Sequence, residues 1–450
     1  MNNTSRILTA KNNKESAPHP DISYSQGIFT KSRYAYWRLR IMYSIILGYG
    51  LYNLGRINLA MAVPAMKAEF GFDDQQIGMI MSATTAAYAS GRLCNGLFSD
   101  KANARYFHVF GLLGVAFCNL LFGVSTSINQ FAIFWALNGW FQTMGAPSCS
   151  RMLTHWHASH EIGTRWAIWS SNAPLAGGII FLVSGYTIPL WGWQSAFLIP
   201  AAAALLMVPF LLNRLRDNPG EVGLPPIEQY KPTPDSHVSN RKIINEPMHL
   251  SVRQIVVKQL LPNQRLWFIC MASFCLYLVR IGFLNWCPEI LIHVRGLSLQ
   301  SIGKMGLIYE VGCLIGGLGA GFVSDHVFKG QRGPVGVLYM LALAGIICYF
   351  GFSPYHTRSL DGVMLILFGF FSFGPNVLVG AAAADFASKK AVGIATGVVS
   401  SFGNIGGTIS GVGIGYITKY YGWESGLAVF AVTAVCGAVC FGLTLTRRTK

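Results

Sequence analysis

The stretch IGMIMSATTAAYASGRLCNGLFSD, residues 77–100, returns 225 positions later as IGKMGLIYEVGCLIGGLGAGFVSD, residues 302–325. The two align without a gap, open on Ile-Gly and close on Ser-Asp. Each is an apolar run of about the 20 residues that a helix needs to cross a bilayer. Each Ser-Asp pair is followed by cations, Lys101 and Arg105 in the first case and Lys329 and Arg332 in the second. An offset of half the chain length means two similar halves. Weaker echoes agree. GAP at residues 145–147 matches GP at 374–375, AGG at 176–178 matches IGG at 405–407, and WGWQS near Trp193 matches YGWES near Trp423.

Composition sets the solvent for these halves. Of 450 residues, 52% are hydrophobic and 12% charged, against about 25% charged in a soluble domain. Disorder is excluded, because it needs low hydrophobicity. A soluble enzyme is excluded because no water-facing surface uses so much apolar sequence. Twelve apolar runs lie near residues 41–65, 76–98, 106–126, 130–152, 165–188, 195–213, 266–290, 301–323, 334–353, 361–385, 392–416 and 425–446. The expected fold is an all-α membrane protein with twelve transmembrane helices in two pseudo-symmetric six-helix halves. The expected division is a cytoplasmic tail (1–40), a first half (41–213), a linker (214–264), a second half (265–446) and a short tail (447–450). The linker is rich in Pro and charge (Pro219, Pro225, Pro226, Pro232, Pro234).

Charge sets the orientation. Placing both termini in the cytoplasm puts 26 of the 34 Lys and Arg on that side and five on the other. Cytoplasmic loops are the ones that carry excess Lys and Arg, so both ends are expected inside. The formal net charge of +16 is this bias spread over short loops, and nucleic-acid binding is not expected. The first 40 residues lack an apolar core, so no cleaved signal is expected. No phosphate-binding loop, nucleotide fingerprint or HExxH is present. The cysteines sit mostly in apolar runs and read as packing residues. His155, His157 and His160 read as a solvated basic loop. No metal, cofactor or catalytic constellation is expected, and the chain is read as a monomer in the lipid bilayer.

Three arginines lie inside spans: Arg56, Arg92 and Arg280. Each costs about 2.5–3.5 kcal/mol at bilayer depth on insertion scales, so each needs a role. Arg56 in the first span and Arg280 in the seventh are 224 residues apart, at the same level of each half. Helical spacing puts Tyr52 and Asn53 on the face of Arg56 and Tyr277 on that of Arg280. Two guanidinium forks meeting between the halves suit a doubly charged anion, because each fork takes two phosphate oxygens. Carboxylates to neutralise them are scarce. Glu310 is the clear one at mid-span. It reads either as a partner that holds Arg280 when the site is empty or as a fixed structural partner. Arg92, with Tyr88 at i−4, reads either as a binding or gating residue or as a side chain snorkelling to the interface. Asp100 and Asp325 end the repeat and read as gating or fastening groups at the cytoplasmic face.

A parallel six-plus-six repeat with a long middle loop is similar to the layout of the major facilitator transporters, which bind near mid-membrane and rock one half against the other. The resemblance narrows further. GYGLYNLGRINLAMAVP in the first span, AAYASGRLCNGLFSD in the second, GWFQTMGAPSCSRML in the fourth, GEVGLPPIEQYK in the linker, LYLVRIGFLNWCP in the seventh, SDHVFKGQRG after the eighth and GFFSFGPNVLVG in the tenth resemble the organophosphate:phosphate antiporters. The resemblance covers about residues 35–446. It implies exchange of a phosphate monoester, such as a sugar phosphate or glycerol 3-phosphate, for inorganic phosphate, with Arg56 and Arg280 on the phosphoryl group. The family often has Lys where Arg92 stands. Its bacterial transporters carry a His in the fifth span where this sequence has Ala173, beside Pro174, so histidine-linked protonation is not carried over. A bacterial inner membrane is the expected location. Two alternatives stay open. One is a transporter-like sensor of external hexose phosphate, and the other is an ion-coupled symporter of another organic anion with Glu310 as its titrating acid.

Overall fold

A bilayer offers no water to unpaired backbone groups, so a spanning chain closes its hydrogen bonds within helices. The computed structural model describes residues 20–158, 160–230, 260–355, 357–386 and 392–445, with side chains from residue 31 onward except at Leu93, Asp100, Val392 and Gly393. The expectations for the first 19 residues, for 231–259 of the linker and for the last five residues lie outside this set. The first half contains α1 (Pro20–Phe70), α2 (Asp74–Lys101), α3 (Ala104–Gly123), α4 (Ile128–Gln142), α5 (Gly145–Trp156), α6 (Ile162–Ser170), α7 (Asn172–Trp191) and α8 (Ser195–Arg214). A 3₁₀ turn (Pro219–Val222) and α9 (Ile227–Tyr230) follow. The second half contains α10 (Gln264–Arg295), α11 (Leu299–Phe322) with a π turn (Val323–Val327), α12 (Arg332–Phe352), α13 (Arg358–Phe386) and α14 (Val392–Leu443).

Eight helical stretches among the described residues are long and apolar enough to cross a membrane by themselves. The last of them, α14, turns back at Gly422, whose φ of 79° is left-handed, and so supplies two crossings. With α1, α2 and the α4–α5 pair, the bundle has twelve crossings in two groups of six. Helix starts follow local chemistry. Asp73 caps α2 and Ser127 caps α4, each in a capping box with the Gln three residues on. Two crossings are broken where proline removes a donor. Pro147 lies in the first turn of α5 and Pro174 in that of α7, the place a helix tolerates it. The fourth crossing therefore restarts at Gly145 and the fifth at Asn172.

The start of α1 and the end of α14 lie at one end of the bundle, here called the tail end. There, α1 extends beyond its apolar run and the start of the linker folds back onto it. Arg33 donates to the Val222 carbonyl at 2.8 Å, and the Tyr34 ring stacks on Tyr230 at 4.0 Å. Asp217 receives two bonds of 3.0 Å from Arg151. The linker thus begins as a brace on the first half.

The cores show how the halves meet. One apolar core runs from Leu59, Met81, Phe131 and Trp193 of the first half into most of the second half. At the tail end each half keeps its own core, around Tyr34 and Trp156 in one and around Tyr339 in the other. The halves are joined at the far end and separate at the tail end.

Glycine makes that junction close. A Cβ on Gly78 would lie 2.4 Å from the Gly411 carbonyl oxygen, and one on Gly303 would lie 2.7 Å from that of Phe181. So α2 meets α14, and α7 meets α11, at backbone distance. Small residues serve this role in lipid, where apolar side chains gain nothing by meeting. Ser82 Oγ adds a bond to the Thr408 carbonyl at 2.6 Å. Three ion pairs tie the far end. Lys67 of α1 bridges Asp74 at 2.6 Å and Glu289 of α10 at 3.0 Å, and Lys419 of α14 meets Asp73 at 2.9 Å. Burial by itself raises the Asp73 carboxyl, but the Lys419 contact and backbone donors from Gln76 outweigh it and hold the group below the usual aspartate range.

Candidate functional site

A cavity of about 240 Å³ lies between the halves at mid-height. The first half supplies Arg56, Tyr88, Arg92 and Ala173, and the second supplies Tyr277, Arg280 and Glu310. The structure therefore brings six of the expected site residues together.

Arg56 is positioned by a short polar chain. Asn53 Oδ1 accepts from Arg56 Nη2 at 2.8 Å. Asn53 in turn donates to Asn172 Oδ1 at 2.9 Å and to the Tyr49 carbonyl at 3.1 Å. Asn172 is the first residue of α7, the helix that restarts because of Pro174. The break in the fifth crossing thus holds the arginine of the first. No carboxylate oxygen among the described residues lies within 4 Å of the Arg56 or Arg280 guanidinium. Arg280 instead rests on Phe373, with Cζ 4.7 Å from the ring centroid, a cation–π contact that orients a charge without neutralising it. Its Nε is buried with no hydrogen-bond partner among the described residues. Both arginines are only partly buried and open onto the same space.

Glu310 shares the cavity without ion-pairing to either arginine. It packs across the junction on α7, where a Cβ on Gly177 would fall 2.3 Å from its Oε1. Tyr52 goes elsewhere. Its ring is fully buried in the first half, and its hydroxyl donates to the His108 carbonyl at 2.6 Å. Gly111 leaves the room, since a Cβ there would meet the Tyr52 hydroxyl at 2.3 Å. Helical spacing put Tyr52 and Asn53 on one face, and packing between α1 and α3 separates them. Asp325 lies at the tail end, more than half exposed, paired with Arg332. Arg332 also reaches Asp385 at 3.4 Å, so Asp325 fastens the ends of α11, α12 and α13 together, away from the cavity. Asp100 ends α2 at the same level, and its side chain is outside the described set. His157 departs from the solvated-loop expectation: it is 2% exposed. Burial, and then the charges of Arg38 and Arg165, push its imidazole down to about 4.

Several cavity residues escaped the sequence reading: Asn285, Asn404 and Phe373. The two asparagines carry a usable signal, a polar amide alone in an apolar run. Thr84 and Thr85 also line the space, but their hydroxyls are spent on the carbonyls of Trp135 and Met81.

A two-half bundle of twelve crossings around a shared cationic cavity defines a multi-pass membrane transporter rather than an enzyme. Residues 45–379 match the Major Facilitator Superfamily. The chain is 38% identical over 421 residues to a probable hexose phosphate transport protein of Chlamydia pneumoniae, covering 92% of each. It is 33% identical over 433 residues to the glycerol-3-phosphate transporter of Bacillus subtilis, covering 95% of this chain and 96% of that one. It is 31% identical over 411 residues to the membrane sensor protein UhpC of Escherichia coli, covering 91% and 92%. Among solved structures, a bacterial homolog of the human lysosomal transporter Spinster, inward-facing and occupied, superposes with a TM-score of 0.73 at 13% identity over 91% of this chain and 97% of that one. That likeness carries the fold. The chain belongs to the organophosphate:phosphate antiporter family of the Major Facilitator Superfamily.

Proposed function

We propose that the protein exchanges a phosphate monoester for inorganic phosphate across a bacterial inner membrane, with both termini in the cytoplasm. The supporting observation is that Arg56 and Arg280, one from each half, open onto one cavity with no acid within 4 Å among the described residues. The empty site holds two like charges in a poorly solvated place. A dianion neutralises them, so closure of the halves is favoured only with the anion present. A bare carrier then crosses slowly, and flux in one direction becomes coupled to flux in the other. Anion binding drives the swing to the extent that the occluded state binds it more tightly than the open ones. Charge patterning makes the tail end cytoplasmic, so the conformation described is the inward-open one.

The relatives are named for hexose phosphate and glycerol 3-phosphate, and hexose 6-phosphate is the first ester to test. Proteoliposomes loaded with radiolabelled phosphate are expected to release it when the ester is added outside. Arg56→Lys and Arg280→Lys are each expected to lower the rate at least about tenfold, since an ammonium forfeits one charge-assisted bond of the fork. Absence of exchange with every phosphate ester, in protein shown to be folded, would overturn the reading. Tight ester binding with negligible flux would instead favour a sensor, the role named for one relative.

A further inference from the structure

Four arginines gather where α1, α3 and α8 meet at the tail end. They mark the edges of apolar runs. Arg40 stands just before the run 41–65, Arg105 just before 106–126, and Arg214 and Arg216 just after 195–213. The end of α8 draws them together, because its last carbonyls have no partners within the helix. Arg40 Nη2 donates to the Asn213 carbonyl at 3.0 Å, and Arg105 donates to that of Leu212. Arg216 donates to those of Asn213 at 3.0 Å and Leu215 at 2.6 Å. Aromatic faces orient the guanidinium planes. Trp37 carries Arg40 at 4.6 Å and Arg216 at 5.3 Å. Tyr106 carries Arg105 at 5.0 Å, and Phe210 carries Arg214 at 5.5 Å.

The protein does not balance the charge of this corner. A helix C-terminus offers about half a negative charge, against four guanidinium groups. No carboxylate oxygen among the described residues lies within 4 Å of any of them. Arg216 shows the crowding. Burial, then the charges of Arg105 and Arg40, pull it below the usual arginine range, and the weaker effect of Glu221 does not restore it. Glu221 itself accepts from Asn103 at 2.7 Å. The guanidinium of Arg214 makes no hydrogen bond among the described residues.

Beside the cluster the surface turns apolar. Tyr106, Phe110, Leu113 and Phe117 are all exposed, and their spacing puts them on one face of α3. The stripe starts at the ring that carries Arg105 and runs into the hydrocarbon. A free anion has no use for such a stripe, whereas an acyl chain packs on it.

We infer that Arg40, Arg105, Arg214 and Arg216 form a binding site for the phosphate head of an anionic phospholipid, with an acyl chain laid along α3. The guanidinium forks supply charge-assisted donors to the phosphate oxygens, and Arg214 keeps all of its donors for them. The site lies on the outside of the first half, apart from the central cavity, and does not depend on the exchange reading.

Native mass spectrometry of the purified full-length protein, titrated with phosphatidylglycerol or phosphatidylcholine in mixed micelles, tests the site. The wild type is expected to retain phosphatidylglycerol in preference. Arg214→Gln is expected to weaken that retention about fivefold, the worth of one arginine beside an anionic head group, and Arg105→Gln to do the same. Arg265→Gln is the control. Arg265 also stands just before an apolar run, 266–290, but outside the cluster, and its loss is expected to leave retention unchanged. Equal weakening in Arg265→Gln would overturn the inference, because general attraction to a negative leaflet accounts for it. Retention that Arg214→Gln and Arg105→Gln both leave unchanged, or equal retention of the two lipids by the wild type, would do so too. Displacement of phosphatidylglycerol by inorganic phosphate in Arg280→Lys, where the central arginine pair is broken, would show a free-anion site and also refute it.

Discussion

Lys67 is the one cation of α1 that reaches across to the second half at the far end, and replacing it tests whether that end is a releasable latch. Its ammonium bridges Asp74 at 2.6 Å and Glu289 at 3.0 Å. The Glu289 side chain is 3% exposed and the Lys67 side chain 20%. Removing one partner of a buried pair costs about 3–5 kcal/mol because the other charge is left desolvated. Two features reduce this. Lys67 is partly hydrated, and His293 lies 3.0 Å from the same Glu289 oxygen and retains one contact. About 2 kcal/mol is a fair remainder. Opening the far end lets Glu289 return to water, so the whole cost falls on the closed state. Lys67→Met is therefore expected to shift the balance toward far-end opening by roughly 30-fold. Spin labels at Thr126→Cys and Tyr355→Cys, on exposed loops of opposite halves, report the separation by double electron–electron resonance. The background would first lose the exposed Cys94, Cys348 and Cys436. Adding Glu289→Gln is expected to bring the distance distribution back toward the original, because the acid left unpaired between the halves is then neutral, while Asp74 belongs to the same half as Lys67 and is stranded in both states. An unchanged distribution in Lys67→Met, or a double variant more open than the single one, would refute the reasoning.

Gly411→Leu is expected to abolish exchange while leaving folded protein in the membrane, since a Cβ there would fall 2.4 Å from Ser82 Oγ and hold the halves apart. The same spin pair should report a far end fixed open. His157 predicts acid sensitivity at the tail end. Its folded pKa, about 4, lies below the ordinary value of 6.5, so the unfolded chain binds the proton first. Its contribution is complete above pH 6.5 and is lost at about 1.4 kcal/mol per pH unit as pH falls toward 4. Thermal melting between pH 7 and pH 5 is expected to show this slope, and His157→Gln to flatten it.

What could be read from residues 77–100 and 302–325 was the architecture. Solvent imposes it locally: in hydrocarbon each crossing must be a helix, each helix needs about 20 apolar residues, and a gapless repeat implies equivalent halves. The cost of buried charge picked out Arg56, Arg92 and Arg280 in the same way, because that cost belongs to one residue in one span. The positions of Tyr52, His157 and Asn404 needed more. Tyr52 and Asn53 are neighbours on one helix, and only the space left by Gly111 decides that one ring turns away while the amide braces Arg56. His157 is buried beside Arg38, on the part of α1 that overshoots the bilayer.

The chain by itself determined which segments cross the membrane, that they come in two matching sets, and which costly cations must meet an anion. Those are energies of single segments against their solvent. Only the tertiary structure decided that Glu310 leans on Gly177 instead of Arg280, and that the far end is latched by Lys67 and Glu289 222 residues apart. Those outcomes depend on how closely two helices approach, and a missing Cβ at a crossing sets that distance only once the partner helix is in place.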